Sequence, residues 1–145
     1  MKNIISEIKL KYQPTKLEKK KIRKSDDAYN IALKHWDLDT IELQEEFKVL
    51  LLNNSNEVIG IYEMTKGGIN STLVDLKLMF AVVLKSCASG IITVHNHPSG
   101  KLKPSTCDIS IYNRIKKACK FLEIHYLDNL IISREGKYSF ADENV

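Results

Sequence analysis

No apolar run in this chain approaches the roughly 18 residues of a membrane-spanning helix. The N-terminal stretch MKNIISEIKLKYQ is interrupted by charges and lacks a hydrophobic core segment, so no secretory signal is expected. Cysteine is scarce. Cys87, Cys107 and Cys119 are odd in number and form no Cys-x-x-Cys pair, which argues against a disulfide framework or a Cys-rich zinc site. A reducing, cytoplasmic setting is the expectation. There are no internal repeats, and the only biased tract is one lysine-rich run. No His-x-Glu accompanies a Pro-Cys-x-x-Cys, which sets aside the zinc nucleobase deaminases.

What remains is an ordinary globular composition. The 145 residues are 43% hydrophobic and 28% charged, enough for one domain with a sizeable core. The net charge of +4 is unevenly placed. Residues 1–24 hold nine Lys/Arg and two Glu, whereas the remainder holds 13 basic and 16 acidic residues. The excess sits in 15-TKLEKKKIRK-24. It reads either as a solvated arm or as a phosphate contact through Lys16, Lys19, Lys20, Lys21, Arg23 and Lys24. No aromatic residue interleaves with these side chains, so base stacking on the arm is not indicated.

The spacing predicts strands alternating with helices, hence an α/β layered sheet. Residues 4–12 suit a short edge strand. Ser25, followed by Asp26 and Asp27, suits the N-cap of a helix through 28–37. Strands are expected over 46–53 and 57–64 with a turn at 53–57 between them, and Gly67-Gly68 should break the chain. Asp75 can cap a helix through 76–88. The run 90-GIITV-94 reads as a strand buried on both faces. A long helix is expected from Ser105 to about Glu123, then strands over 125–133 and 137–141. The reading divides the chain into an N-terminal extension, 1–40, carrying the basic arm and one helix, and a metal-binding domain, 41–145.

The chemistry concentrates in 90-GIITVHNHPSGKLKPSTCDISIY-112. Residues two apart on a strand share a face, so His95 and His97 project together and Asn96 projects away. Two imidazoles on one side can chelate a divalent metal, although a lone His-x-His pair is commonly structural. Pro98 and Gly100 turn the chain out of the sheet. Ser105 and Asp108 have the spacing of a capping box. Both also lean back toward the helix N-terminus, where Asp108 can offer a carboxylate oxygen to the same metal. Two His and one carboxylate leave a fourth tetrahedral position for water, the pattern of a catalytic zinc site. The same ligand set also describes the facial triad of non-haem Fe(II) oxygenases. His35, Trp36 and His125 read as structural, and Lys101 and Lys103 as loop lysines that are solvated or draw an acidic substrate.

His95-x-His97, seven residues, Ser105, two residues, Asp108 resembles the JAMM signature of JAB/MPN metalloprotease domains. More narrowly, HNHPSG followed by PS-x-x-D resembles the RadC-like branch, and 45-EEFKVLLLN-53, Gly67-Gly68, 127-LDNLII-132 and 139-SFADE-143 extend the resemblance over about 40–142. It implies a JAB/MPN fold, a mixed sheet flanked by helices and related to the cytidine-deaminase-like architecture. It implies one zinc ion per chain on His95, His97 and Asp108, with Ser105 steadying the water or the oxyanion. The implied activity is hydrolysis of an amide, peptide or isopeptide bond in a protein or peptide substrate. Its general base is an early glutamate. Glu42, Glu45, Glu46, Glu57 and Glu63 are candidates; the family places the base two residues before the strand's Phe, which selects Glu45 over Glu46.

Departures accompany the resemblance. Peptidase branches carry Ser or Thr where this chain, like RadC-like chains, has Asn96. RadC-like chains often read Leu-Asp-His where this one has Leu127-Asp128-Asn129, so any role of that His in substrate binding is lost or altered. Longer RadC-like proteins carry a helix-hairpin-helix region, for which residues 1–40 are too few. The rival reading is a DNA-associated binding module with a metal site and little or no peptidase activity.

Overall fold

The computed structural model describes residues 5–7, 9, 11, 13–16, 18–68 and 74–145. The edge strand expected over 4–12 lies partly outside the described residues, and the described ones there join no strand. The elements run α1 (Ser25–Lys34), β1 (Glu45–Leu52), β2 (Val58–Gly68), α2 (Leu76–Lys85), β3 (Gly90–Asn96), α3 (Thr106–Phe121), β4 (His125–Ile132) and β5 (Lys137–Ser139). The five strands form one mixed sheet in the order β2-β1-β3-β4-β5. Only β3 and β4 are parallel, joined by the α3 crossover; the other neighbours are antiparallel.

Both sheet faces are covered, which explains the near-continuous apolar runs of β1 and β3. On one face Phe47, Val49, Leu51 and Ile91 pack against Met79, Phe80 and Val83 of α2 and Ile111 and Ile115 of α3. On the other, Leu50, Leu52, Ile92, Val94, Leu130 and Ile132 pack against Ala28 and Ala32 of α1, with Ile22, Trp36 and Ile41. The helix assigned by sequence to an N-terminal extension thus packs into the second core through Ala28 and Ala32. The arm is anchored too. Ile22 is buried, its N–H donates to Asn56 O (2.8 Å), and Val58 N–H donates to Lys20 O (2.8 Å).

Three local expectations differ from what is found. The N-cap of α1 is Lys24, not Ser25, because the Ser25 hydroxyl donates instead to Asp142 Oδ2 at 2.5 Å. Asp27 then reaches back to accept the N–H groups of Arg23 and Lys24. That helix stops at Lys34, so Trp36 enters the core from the following turn rather than from the helix. Gly67-Gly68 does not break the chain: β2 continues through the pair, since pairing with β1 reaches Glu45↔Gly68 and supplies partners that local propensity does not.

Ala32 has no exposed surface and lets α1 approach the sheet closely. Ala32→Leu should overpack this layer and cost about 1–3 kcal/mol. Urea denaturation checks this; an unchanged midpoint would show that α1 does not share the core.

Candidate metal centre

The candidate site lies where the C-terminal end of β3 meets the N-terminus of α3. β3 is buried throughout; His95 near its end and His97 just past it lie on one face, with His95 stacked on Phe47 of β1 (ring centroids 5.9 Å). β3 ends at Asn96, and Pro98 opens the turn that follows. Gly100 adopts φ +77, a left-handed conformation that nothing but backbone geometry demands, and donates its N–H to His97 O at 2.8 Å. This turn brings the Lys101 carbonyl to His97 Nδ1 at 2.8 Å. A carbonyl can only accept, so Nδ1 carries the proton, and in the neutral ring the lone pair of Nε2 faces the site.

α3 begins with a complete capping box. Asp108 N–H donates to Ser105 Oγ (3.0 Å), and Ser105 N–H donates to Asp108 Oδ2 (2.8 Å). The same carboxylate meets both histidines: Oδ2 lies 3.0 Å from His97 Nε2 and Oδ1 lies 3.2 Å from His95 Nε2. The two Nε2 atoms are 3.2 Å apart. Glu45, first residue of β1, completes the set, with one potential ligand atom from each of the four side chains within 4.8 Å of the others. His95 and Asp108 are almost wholly buried. A cleft of about 770 Å³ opens onto the site, lined in part by Glu45, His97, Ser105 and Cys107, and by Lys101 and Lys103, both exposed.

The electrostatics are those of a cation site. Burial alone would raise the Asp108 carboxyl, but in the metal-free site the hydrogen bonds from His95 and from the protonated form of His97 outweigh it and hold Asp108 well below the usual carboxylate range. His97 is raised by its hydrogen bond with Asp108, against the opposing effect of burial. Glu45 is pushed up to about 7, chiefly by burial, with the Asp108 charge adding to the rise and His97 opposing it.

The donor set fits a tetrahedral divalent ion. Ligand atoms on zinc at bond lengths near 2.0–2.2 Å are about 3.3 Å apart; here the two imidazole Nε2 atoms are 3.2 Å apart, and each lies 3.0–3.2 Å from one of the two Asp108 oxygens. Two imidazole nitrogens and the Asp108 carboxylate can hold a divalent ion; Glu45 sits beside them.

The other residues singled out by sequence fall elsewhere. Glu46 is buried on the opposite face, 3.8 Å from Lys48 Nζ. Glu42 is exposed and pairs with Arg134, while Glu57 and Glu63 belong to the β1–β2 hairpin region away from the cluster. His35 caps α1, and His125 opens β4 on the surface. Asn129, in place of the His common in RadC-like chains, accepts the Thr93 hydroxyl at 2.7 Å within the sheet, on the face that carries His95. Lys16, Lys20, Lys21, Arg23 and Lys24 are exposed, and Lys19 is partly so. Among the described residues no helix is long and apolar enough to cross a membrane. Sequence reading missed the part played by Asn96. Its signal was there: a polar residue between two site histidines, turned into the buried opposite face.

Comparison with known proteins agrees with this architecture. The family model of the RadC-like JAB domain matches residues 22–145. A UPF0758 protein of Flavobacterium johnsoniae is 44% identical over 135 residues, covering 89% of this chain and 55% of the relative. One from Porphyromonas gingivalis is 43% identical over 103 residues, covering 70% and 45%. One from Clostridium perfringens is 34% identical over 140 residues, covering 96% and 60%. The chain belongs to the RadC-like JAB domain family, and its mixed sheet with three helices is the JAB/MPN fold. It spans about half the length of the curated relatives it matches.

Asp108→Asn separates the two duties of that side chain. Asn can still accept at the helix start, so the metal-free protein should change by about 1 kcal/mol or less. Affinity for titrated zinc should fall by far more than tenfold, or roughly 1.4 kcal/mol. Ser105→Ala should do the reverse, losing about 1 kcal/mol of stability with little change in zinc affinity. Isothermal titration beside denaturation of the metal-free proteins reads both; unchanged zinc affinity in Asp108→Asn would reduce the motif to a cap.

Proposed function

We propose that this domain is a zinc-dependent hydrolase of the JAMM type, cleaving an amide, peptide or isopeptide bond in a protein or peptide substrate. The observation that carries the reading is the pairing of two kinds of group in one cleft. Three buried or half-buried donors converge on a point, and beside them stands a half-buried carboxyl, Glu45, raised above the usual carboxylate range in the metal-free site chiefly by its burial. His95, His97 and Asp108 would hold the ion, which when bound supplies Lewis-acid polarisation of the carbonyl and acidifies water.

The remaining work falls to the chain. Glu45 accepts a proton from the attacking water and hands it to the leaving amine, acting first as general base and then as general acid. The Lys101 carbonyl fixes the tautomer and ring angle of His97. Ser105 Oγ is already an acceptor for Asp108 N–H, which leaves its own O–H free to donate toward the developing oxyanion. The start of α3 adds partial positive charge there. The buried carboxylate of Asp108 offsets that charge at the cation, so the helix end favours the oxyanion without repelling the metal.

Elemental analysis of the purified protein should find about one zinc ion per chain. His95→Ala and His97→Ala should lose it. Glu45→Gln should retain zinc while turnover of a peptide or isopeptide library drops about 10²–10⁴-fold. Glu46→Gln should keep both zinc and turnover, since it lies across the sheet. Loss of turnover in Glu46→Gln with Glu45→Gln unimpaired would reverse the assignment of the base. Salt-dependent DNA binding that disappears with charge reversal at Lys16, Lys20 and Lys21, in a protein with no turnover, would instead favour the binding-module reading.

A further inference from the structure

We propose that Asn96 is the positioning residue that holds Glu45 at the metal centre, and that it does so from the opposite face of the sheet. The role given to Glu45 rests on the hydrolytic reading above; the anchoring itself does not. Asn96 is wholly buried. Its side chain makes three hydrogen bonds. Oδ1 accepts Glu46 N–H at 2.8 Å, and Nδ2 donates to Ile41 O at 2.7 Å and to Gln44 O at 2.9 Å. All three end on residues 41–46, the segment that delivers Glu45.

That segment needs an anchor on its β3 side, where the ladder stops short of it. The pairing of β1 with β3 runs from Leu52↔Gly90 to Phe47↔His95 and stops there. On the other side, the pairing of β1 with β2 is irregular between Glu45 and Glu46. Glu45 thus stands two residues beyond the last pair of one ladder and at a break in the other. The Asn96 side chain extends the β3 side of the ladder by taking up Glu46 N–H, and it ties down two carbonyls of the approach turn.

The chemistry selects asparagine. One acceptor and two donors are needed at the end of a short stem. Aspartate brings only acceptors and would face two carbonyl oxygens; serine or threonine brings one donor; glutamine is a methylene longer. A failed match leaves buried backbone groups unsatisfied on the segment that carries Glu45. The flanking residues are His95 and His97, so one tripeptide both offers two metal donors and fixes the carboxyl opposite them.

The test compares Asn96→Ser and Asn96→Asp with a control, Ser139→Ala. Ser139 is also buried, and its hydroxyl donates to Asp128, but it bonds to nothing in 41–46. In the metal-free proteins, exchange of the Glu46 amide should accelerate by about tenfold or more relative to core amides of β3 and β4 in both Asn96 variants, and not in Ser139→Ala. Zinc affinity should stay within about threefold of the wild type, because the ligands are untouched. With cobalt(II) in place of zinc, paramagnetic relaxation of the ¹³C-labelled Glu45 carboxyl should fall severalfold in the Asn96 variants as the carboxyl drifts from the ion. Unchanged relative exchange at Glu46, or unchanged Glu45 relaxation in a metal-loaded Asn96 variant, would overturn the proposal. A wild-type protein that binds no metal would overturn the hydrolytic reading, while the exchange comparison still decides whether Asn96 anchors the segment. If Asn96→Asp fails to fold, Asn96→Ser carries the comparison, since it introduces no charge.

Discussion

Everything at the candidate centre depends on keeping one carboxylate charged at the buried start of a helix. The first turn of α3 presents the positive end of its dipole to the site, which by itself disfavours a cation. Asp108 reverses that sign locally. Its ionised form is costly to bury, and it is held by the Ser105 N–H and by the two imidazoles it faces. This fixes several other features. β3 must end where α3 begins, the loop between them must turn back sharply enough for Lys101 to reach His97, and Gly100 takes the conformation that makes such a turn possible.

The sheet order then decides where a fourth group comes from. At the C-terminal end of β3 the parallel neighbour, β4, presents Ile131 and Ile132, both wholly buried. The antiparallel neighbour, β1, begins at that end and can bring a side chain to it from outside the core. Glu45 comes from β1 for this reason, and it is half-buried because it stands at the strand's first position. Its raised pKa follows from the same placement: enough protein around it to disfavour the charge, with Asp108 nearby adding to the effect.

The sequence exposed the features that depend on local periodicity. His95 and His97 share a face because they are two apart on a strand. Ser105 and Asp108 meet because they are three apart at a helix start. Strand parity only groups Glu45 with Phe47; what selects it over Glu46 is the family resemblance. The features that escaped local reading depend on distant partners. Ser25 yields the cap because Asp142, far along the chain, takes its hydroxyl. β2 passes through two glycines because β1 lies beside it. The packing of α1 onto the sheet turns on two alanines whose smallness has meaning only against Leu50, Ile92 and Leu130. Asn96 belongs with these: its partners are about 50 residues earlier in the chain.

The Ser-x-x-Asp motif also shows why a structural and a chemical reading need not compete. A carboxylate has about four acceptor positions on its two oxygens. In Asp108, Oδ2 takes the Ser105 N–H and still lies 3.0 Å from His97 Nε2, while Oδ1 turns to His95. The cap is therefore what aims the ligand. Closing the first turn fixes the rotamer of Asp108, and the fixed rotamer presents both oxygens to imidazoles delivered by a different element. A carboxylate brought there on a free loop would have to lose its rotamer freedom at the moment of metal binding. Here that ordering is complete once α3 has formed, so the geometry of the centre is set by the fold before any ion arrives.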